Sequence, residues 1–204
     1  MDAGLAVRGF VIGFVIAASV GPITLLVIRR TLGAGWRMGL ASGMGVATAD
    51  AAYGAVAAFG IAVIADALVA ISRPLGIVGG AALIWIGLRT AWRPAPPVAA
   101  DAPNARSLAT GYLSILGLTL TNPMTIILYG AVIVSVGVPA SSGAALSLWL
   151  GLAIGSVAWW LVLVPLVALV RGRLSARVLR GVTIASGVAI ALFGVITLLG
   201  ALRA

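Results

Sequence analysis

Leu120-Thr121-Asn122-Pro123-Met124-Thr125 interrupts an apolar run that extends over residues 108–136. An echo, Gly21-Pro22-Ile23-Thr24, interrupts the first apolar run, residues 5–28, and in both places a threonine follows the proline by two residues. Proline in a membrane helix removes a backbone hydrogen bond and frees carbonyls. Lipid tolerates that only where protein or a water-filled cavity takes up the polar groups. Both breaks are therefore expected to face inward. Interruptions at corresponding places in two halves of a chain point to a transporter's binding site, with half-helix ends aimed at the cargo.

The composition agrees with a bilayer setting. Of 204 residues, 62% are apolar and only 8% are charged, which identifies an integral membrane protein. All thirteen basic residues are Arg, four residues are Asp, and Lys, Glu, His and Cys do not occur, giving a net charge of +9. Without His or Cys there is no haem ligation, no ordinary zinc or copper site and no thiol redox couple, so no cofactor and no metal is expected. The arginines lie between the apolar runs, where charge sets membrane topology, and they assign no nucleic-acid role.

Six apolar runs can be read, at residues 5–28, 38–65, 75–92, 108–136, 144–170 and 179–202. About 20 helical residues span a hydrocarbon core of roughly 30 Å, so each run can cross, the third with Arg89 snorkelling. The expected partners are thus the lipid bilayer and a small-molecule substrate. The one substantial linker is the Pro-rich stretch 93–107, joining residues 1–92 to residues 108–204 within a single transmembrane domain. Arginines 29, 30, 37, 89, 93, 106, 171, 173, 177 and 180 fall on one side of the six runs, and Arg8, Arg73 and Arg203 on the other. The bias puts the first side in the cytoplasm and both termini outside it. The first run reads as a retained helix, because Arg29 and Arg30 follow its apolar stretch and a signal core is only about 7 to 15 residues long. Trp36 and Trp92 fall where an aromatic belt belongs.

The two halves also align with each other. Gly45, Asp50 and Tyr53 stand 106 residues before Gly151, Ser156 and Trp159; Arg73, Gly80 and Gly87 stand 107 before Arg180, Gly187 and Gly194. Pro22 and Pro123 are 101 apart, and the loop at residues 138–143 supplies the difference. Three crossings per repeat is an odd number, so the second copy enters the bilayer from the opposite face. The expected fold is an all-α membrane protein, six transmembrane helices forming two inverted three-helix repeats.

Asp50 is the one acidic residue inside a run, twelve residues from one end and fifteen from the other. A carboxylate at that depth costs several kcal/mol if charged and unpaired, so it should face the interior, carry a proton or meet a cation. That suits proton coupling or capture of a substrate ammonium. A hydrogen bond to a neighbouring carbonyl or to Thr48 would give it a structural role instead. Tyr53 lies one turn further along the same face. Ser156, Trp159 and Trp160 lie at mid-depth of the fifth run, where tryptophan packs or lines a cavity. Ser19, Thr24, Thr121, Asn122 and Thr125 flank the breaks and can satisfy freed backbone or bind substrate. The site residues expected are Asp50, Gly21, Pro22, Thr24, Tyr53, Asn122, Pro123, Thr125, Ser156 and Trp159.

Taken together, Ser19-Val20-Gly21-Pro22 followed by Arg29, Arg30, Gly33 and Gly35, the Gly-rich lead into Asp50, Asn122-Pro123, and the pattern from Gly151 to Trp160 resemble the LysE/RhtB amino-acid exporter family over essentially the whole chain. That family carries Pro-Gly-Pro where this chain has Val20-Gly21-Pro22, and Asn-Pro-Lys where it has Asn122-Pro123-Met124. The missing lysine removes a buried cation. The resemblance implies export of amino acids or related small metabolites across a bacterial inner membrane, driven by the proton motive force or the membrane potential; amino acid as cargo rests on it alone. Efflux of a metal cation or another small ion is the alternative, and one Asp without Glu, His or Cys makes a multivalent cage hard to build. No nucleophile with a base and no pair of acids marks an enzyme. A monomer and a homodimer both fit the sequence.

Overall fold

The computed structural model describes residues 2–19, 21–59, 72–92, 104–122, 125–126, 128–129, 141–171 and 176–203. Among these residues there are seven helices and no strand: α1 (Ala3–Ala18), α2 (Pro22–Ala34), α3 (Trp36–Phe59), α4 (Ser72–Trp92), α5 (Ala105–Leu120), α6 (Ser142–Arg171) and α7 (Ala176–Arg203). Their limits follow from local chemistry. Asp2 caps α1 by accepting the Leu5 N–H at 3.1 Å, and α1 stops at Ser19, whose hydroxyl donates back to the Ile16 carbonyl at 2.7 Å. The chain restarts as α2 with Pro22 at its first position, where a missing N–H costs nothing. Gly35, at φ +91°, ends α2 in the left-handed region and lets α3 begin at once. Asn104 caps α5 through the Ser107 N–H at 2.9 Å.

The first apolar run is therefore two helices, bent by 73° at the break. Together they make one candidate span, and α6 and residues Arg180–Arg203 of α7 are each long and apolar enough to cross alone. The other three expected crossings are less marked. Helix α3 is 24 residues long but rich in Gly, Ala and Ser and carries Arg37 and Asp50. Helix α4 is apolar only over Gly76–Trp92, and the second and fourth runs continue into residues outside the described set.

Within lipid, helices gain little from hiding apolar surface from one another, so close backbone approach through small residues does the work. Helix α1 runs parallel to α6: a side chain at Gly151 would meet Ala6 and Phe10, and one at Gly155 would meet Phe10 and Phe14. Helix α3 runs parallel to α5 in the same manner, Gly45 lying against Tyr112 and Leu116. Helices α3 and α6 are antiparallel, with Gly43 on Trp160 and Gly54 near Trp149. Helices α4 and α7 are also antiparallel, Gly80 meeting Gly194 and Gly87 meeting Gly187. Helix α2 lies between this pair and the rest, packing on α3, α6 and α7. The principal core, with Val27, Leu83, Ile115, Trp160, Val164 and Ile190, draws on six of the seven helices. Large apolar side chains such as Leu166, Leu169 and Leu192 lie on the outside, as lipid contact requires.

Candidate functional site

Asp50 projects from the middle of α3 and is 2% exposed. Its partner is neither a backbone carbonyl nor Thr48. The Ser156 hydroxyl, fully buried on α6, donates to the Asp50 carboxylate (Oδ2) at 2.6 Å. Thr48 turns instead to the Met44 carbonyl at 2.9 Å and receives the Tyr112 hydroxyl at 2.9 Å. A buried carboxylate held from a different helix is a polar pair that a bilayer protein keeps only where it is satisfied.

Asp50 forms part of the wall of a cavity of about 430 Å³, inside the size range of small-molecule sites. The first break supplies Ser19, Gly21, Pro22 and Thr24, and the second supplies Thr119, Asn122 and Thr125. Trp160 of α6 and Phe193, Ile196 and Thr197 of α7 close further sides. Each break is stitched locally. At the first, the Thr24 hydroxyl donates to the Ser19 carbonyl at 3.0 Å. At the second, the Tyr53 hydroxyl donates to the Leu120 carbonyl at 2.6 Å, the Thr121 hydroxyl reaches Gly117 at 3.0 Å, and the Asn122 amide (Nδ2) donates to the Thr125 hydroxyl at 3.1 Å. The Thr24 and Tyr53 bonds take up the Ser19 and Leu120 carbonyls, which a continuous helix would have used.

Of the residues expected from the sequence, Asp50, Gly21, Pro22, Thr24, Asn122 and Thr125 share this cavity wall. Ser156 stands directly behind Asp50. Tyr53 is on the same helix, yet its hydroxyl is committed to the Leu120 carbonyl, which makes it a support for the second break. Trp159 packs edge-on against Phe14, with centroids 5.4 Å apart, and its ring N–H has no partner among the described residues. Pro123 lies outside the described residues. The sequence reading did not single out Thr119, Phe193, Ile196 or Thr197, and it named Trp160 without placing it in the site; only the mid-depth position of Trp160 was a signal.

Basic side chains gather elsewhere. Arg29 donates to the Thr90 hydroxyl on α4 at 2.6 Å. Arg30 turns the other way and donates to Ser42 at 3.0 Å, to the Gly111 carbonyl at 2.7 Å and to Ser114 at 2.9 Å. Arg171 reaches the Gly33 carbonyl at 3.3 Å. One end of the fold thus collects the arginines that tie α2 to α3, α4, α5 and α6. Among the described residues no group of three His, Cys, Asp or Glu side chains converges as a metal would need.

No solved structure matches the chain. It is similar to an uncharacterized membrane protein, YahN, of Escherichia coli (strain K12), being 29% identical over 142 residues. The match covers 68% of this chain and 64% of that relative, so the chain spans somewhat under two thirds of its length. The family model for LysE type translocators matches residues 14–200, which include both breaks, Asp50 and every described residue of the cavity. An all-helical membrane chain with this match over nearly its whole length belongs to the LysE type translocator family.

Proposed function

We propose that the chain is a secondary active exporter of amino acids or related small metabolites across the bacterial inner membrane, working by alternating access between two inverted three-helix repeats. One observation carries the reading: the single mid-depth acid stands on the wall of a cavity bounded by both helix breaks. A transporter of this design needs an interior polar site whose neighbouring backbone can rearrange, and the broken helices provide it.

The repeat is supported by the contacts themselves. Exchanging residues that stand 106 apart, forward for Ala6 and Phe10 and back for Gly151, carries the approach of Gly151 to Ala6 and Phe10 onto that of Gly45 to Tyr112 and Leu116. The same shift relates Gly43 on Trp160 to Trp149 near Gly54, and Asp50 bonds to its own counterpart across 106 residues. A shift of 107 exchanges Gly80 on Gly194 with Gly187 on Gly87. Contacts that exchange in this way between antiparallel helices are those of a two-fold axis lying across them, and a residue touching its own counterpart lies close to that axis. The two prolines, 101 apart, stand out of this register, so the breaks differ in depth.

Orientation in the membrane follows the arginine count, with both termini outside the cytoplasm. It is supported by the way Arg29, Arg30 and Arg171, from separate parts of the chain, meet helices at one end of the fold. In the site, the first turn of α2 carries no side-chain cap, leaving its backbone N–H groups to meet a substrate carboxylate. Asp50 meets the ammonium group.

The test is efflux of a labelled panel of amino acids from proteoliposomes containing wild-type protein or Asp50→Asn. Loss of both net export and exchange on substitution is expected. No difference for any member of the panel, with the protein correctly inserted, overturns the proposal.

A further inference from the structure

We propose that the cavity selects neutral amino acids with a large aliphatic or aromatic side chain and rejects dibasic and acidic ones. The inference deepens the transport reading and rests on it.

The first argument is the direction of the hydroxyl hydrogens. Ser19, Thr24 and Thr119 all line the cavity, and each spends its hydrogen on a backbone carbonyl: Ile16 at 2.7 Å, Ser19 at 3.0 Å and Ile115 at 2.9 Å. A hydroxyl that has donated keeps only lone pairs. With the Asp50 carboxylate they form an acceptor-rich polar side, which matches the three N–H donors of a primary ammonium.

The second argument is charge. Among the described residues of the wall, Asp50 is the sole ionisable side chain. Arg30 lines a different cavity and is committed to Ser42, Gly111 and Ser114. One ammonium can be neutralised by Asp50, and one carboxylate can be met by the uncapped start of α2. A second charge of either sign on the ligand's side chain has no counterpart among the described residues of the wall, and an unpaired charge against apolar walls is costly.

The third argument is the remainder of the wall. Trp160, Phe193, Ile196, Val46, Ile16 and Leu128 line the rest of the space, Phe193 and Ile196 at its open edge, and the volume of about 430 Å³ exceeds what a glycine- or alanine-sized molecule fills. An apolar ligand side chain there gains contact that a small or polar one does not.

The experiment is counterflow of labelled leucine in proteoliposomes of the full chain, challenged with unlabelled phenylalanine, isoleucine, serine, lysine, glutamate, isoamylamine and isocaproate. Phenylalanine and isoleucine are expected to compete at concentrations about tenfold lower than serine, the discrimination that a few methylenes give. Lysine and glutamate are expected to be about 100-fold weaker, as unpaired charges in an apolar pocket should be. Isoamylamine, which keeps the ammonium, should compete where isocaproate does not. Lysine or glutamate competing as well as leucine overturns the inference, as does isocaproate competing better than isoamylamine. Carriage of labelled lysine or glutamate without leucine overturns the inference and leaves transport standing; carriage of no amino acid at all brings down the transport reading with it. Ile196→Ser and Phe193→Ala, on the apolar part of the wall, should raise the KM for leucine about tenfold while sparing serine. An unchanged leucine-to-serine ratio in both variants also overturns it.

Discussion

The Ser156 hydroxyl donates to the Asp50 carboxylate at 2.6 Å across a separation of 106 residues, the same spacing that relates Gly45 to Gly151. Ser156 occupies one carboxylate oxygen. On the proposed reading, the other oxygen meets the ammonium group of the substrate. Ser156→Ala is expected to weaken substrate binding by about tenfold or more, since a hydrogen bond to a charged group contributes about 1.5 to 3 kcal/mol. Titration of purified protein measures it. Wild-type affinity in the variant would mean that the bond only fills space.

Close packing at glycine should have opposite signs at different positions. Gly45→Leu and Gly151→Leu drive a side chain into the backbone of α5 and α1 respectively, and each should lower stability by about 1 to 3 kcal/mol or more. Gly117→Ala and Gly200→Ala add a methyl into open space within a helix and should raise stability by about 0.5 to 1 kcal/mol. Thermal melting in detergent reads both. Equal effects at the four positions would contradict the assigned helix contacts.

Arg30 is expected to be structural in a way that its charge alone does not capture. Its guanidinium bonds in three directions, to α3 through Ser42 and to α5 through Gly111 and Ser114. Arg30→Lys keeps the charge but cannot span all three acceptors, and should lower stability by about 1 to 3 kcal/mol; Arg30→Met should cost more. The melting temperatures order the two. If Arg30→Lys melts with wild type, the net of bonds is not holding α2.

Orientation is open to a background-free test because the chain has no cysteine. Asp2→Cys should react with a membrane-impermeant maleimide in intact cells, and Arg37→Cys should react only after the membrane is opened. The reverse pattern would invert the assignment of faces.

Much of this architecture was legible in the residues. The candidate spans at α1 with α2, α6 and α7 show as apolar runs, and the breaks show as prolines that a lipid-facing helix would not tolerate. Asp50 and Ser156 were visible as aligned positions, 106 residues apart, but the bond between them was not, the expected partners being a helix carbonyl or Thr48. What stayed hidden has a common cause: a helix apolar all round, such as α6 or α7, gives no clue to which face turns inward. Trp159 and Trp160 are neighbours in sequence, but successive helical positions point about 100° apart, so one meets Phe14 and the other lines the cavity. Phe193, Ile196 and Thr197 were indistinguishable from lipid-facing neighbours for the same reason. Arg30 was readable only as a topology charge, since its three acceptors come from helices distant in the chain. Tyr53 was read as sharing a face with Asp50, but the carbonyl that it satisfies at Leu120 is exposed only by a break in another helix.

The central claim is that a small ammonium-bearing molecule is held by Asp50 in the cavity between the breaks. Binding of labelled leucine to purified wild type and to Asp50→Asn, a change that keeps shape, removes the charge and turns one acceptor oxygen into an N–H donor, tests this most directly. The account predicts saturable binding to wild type and an affinity lower by about 100-fold in the variant, as loss of a buried charge partner should produce. Equal affinity in a folded Asp50→Asn protein would contradict it.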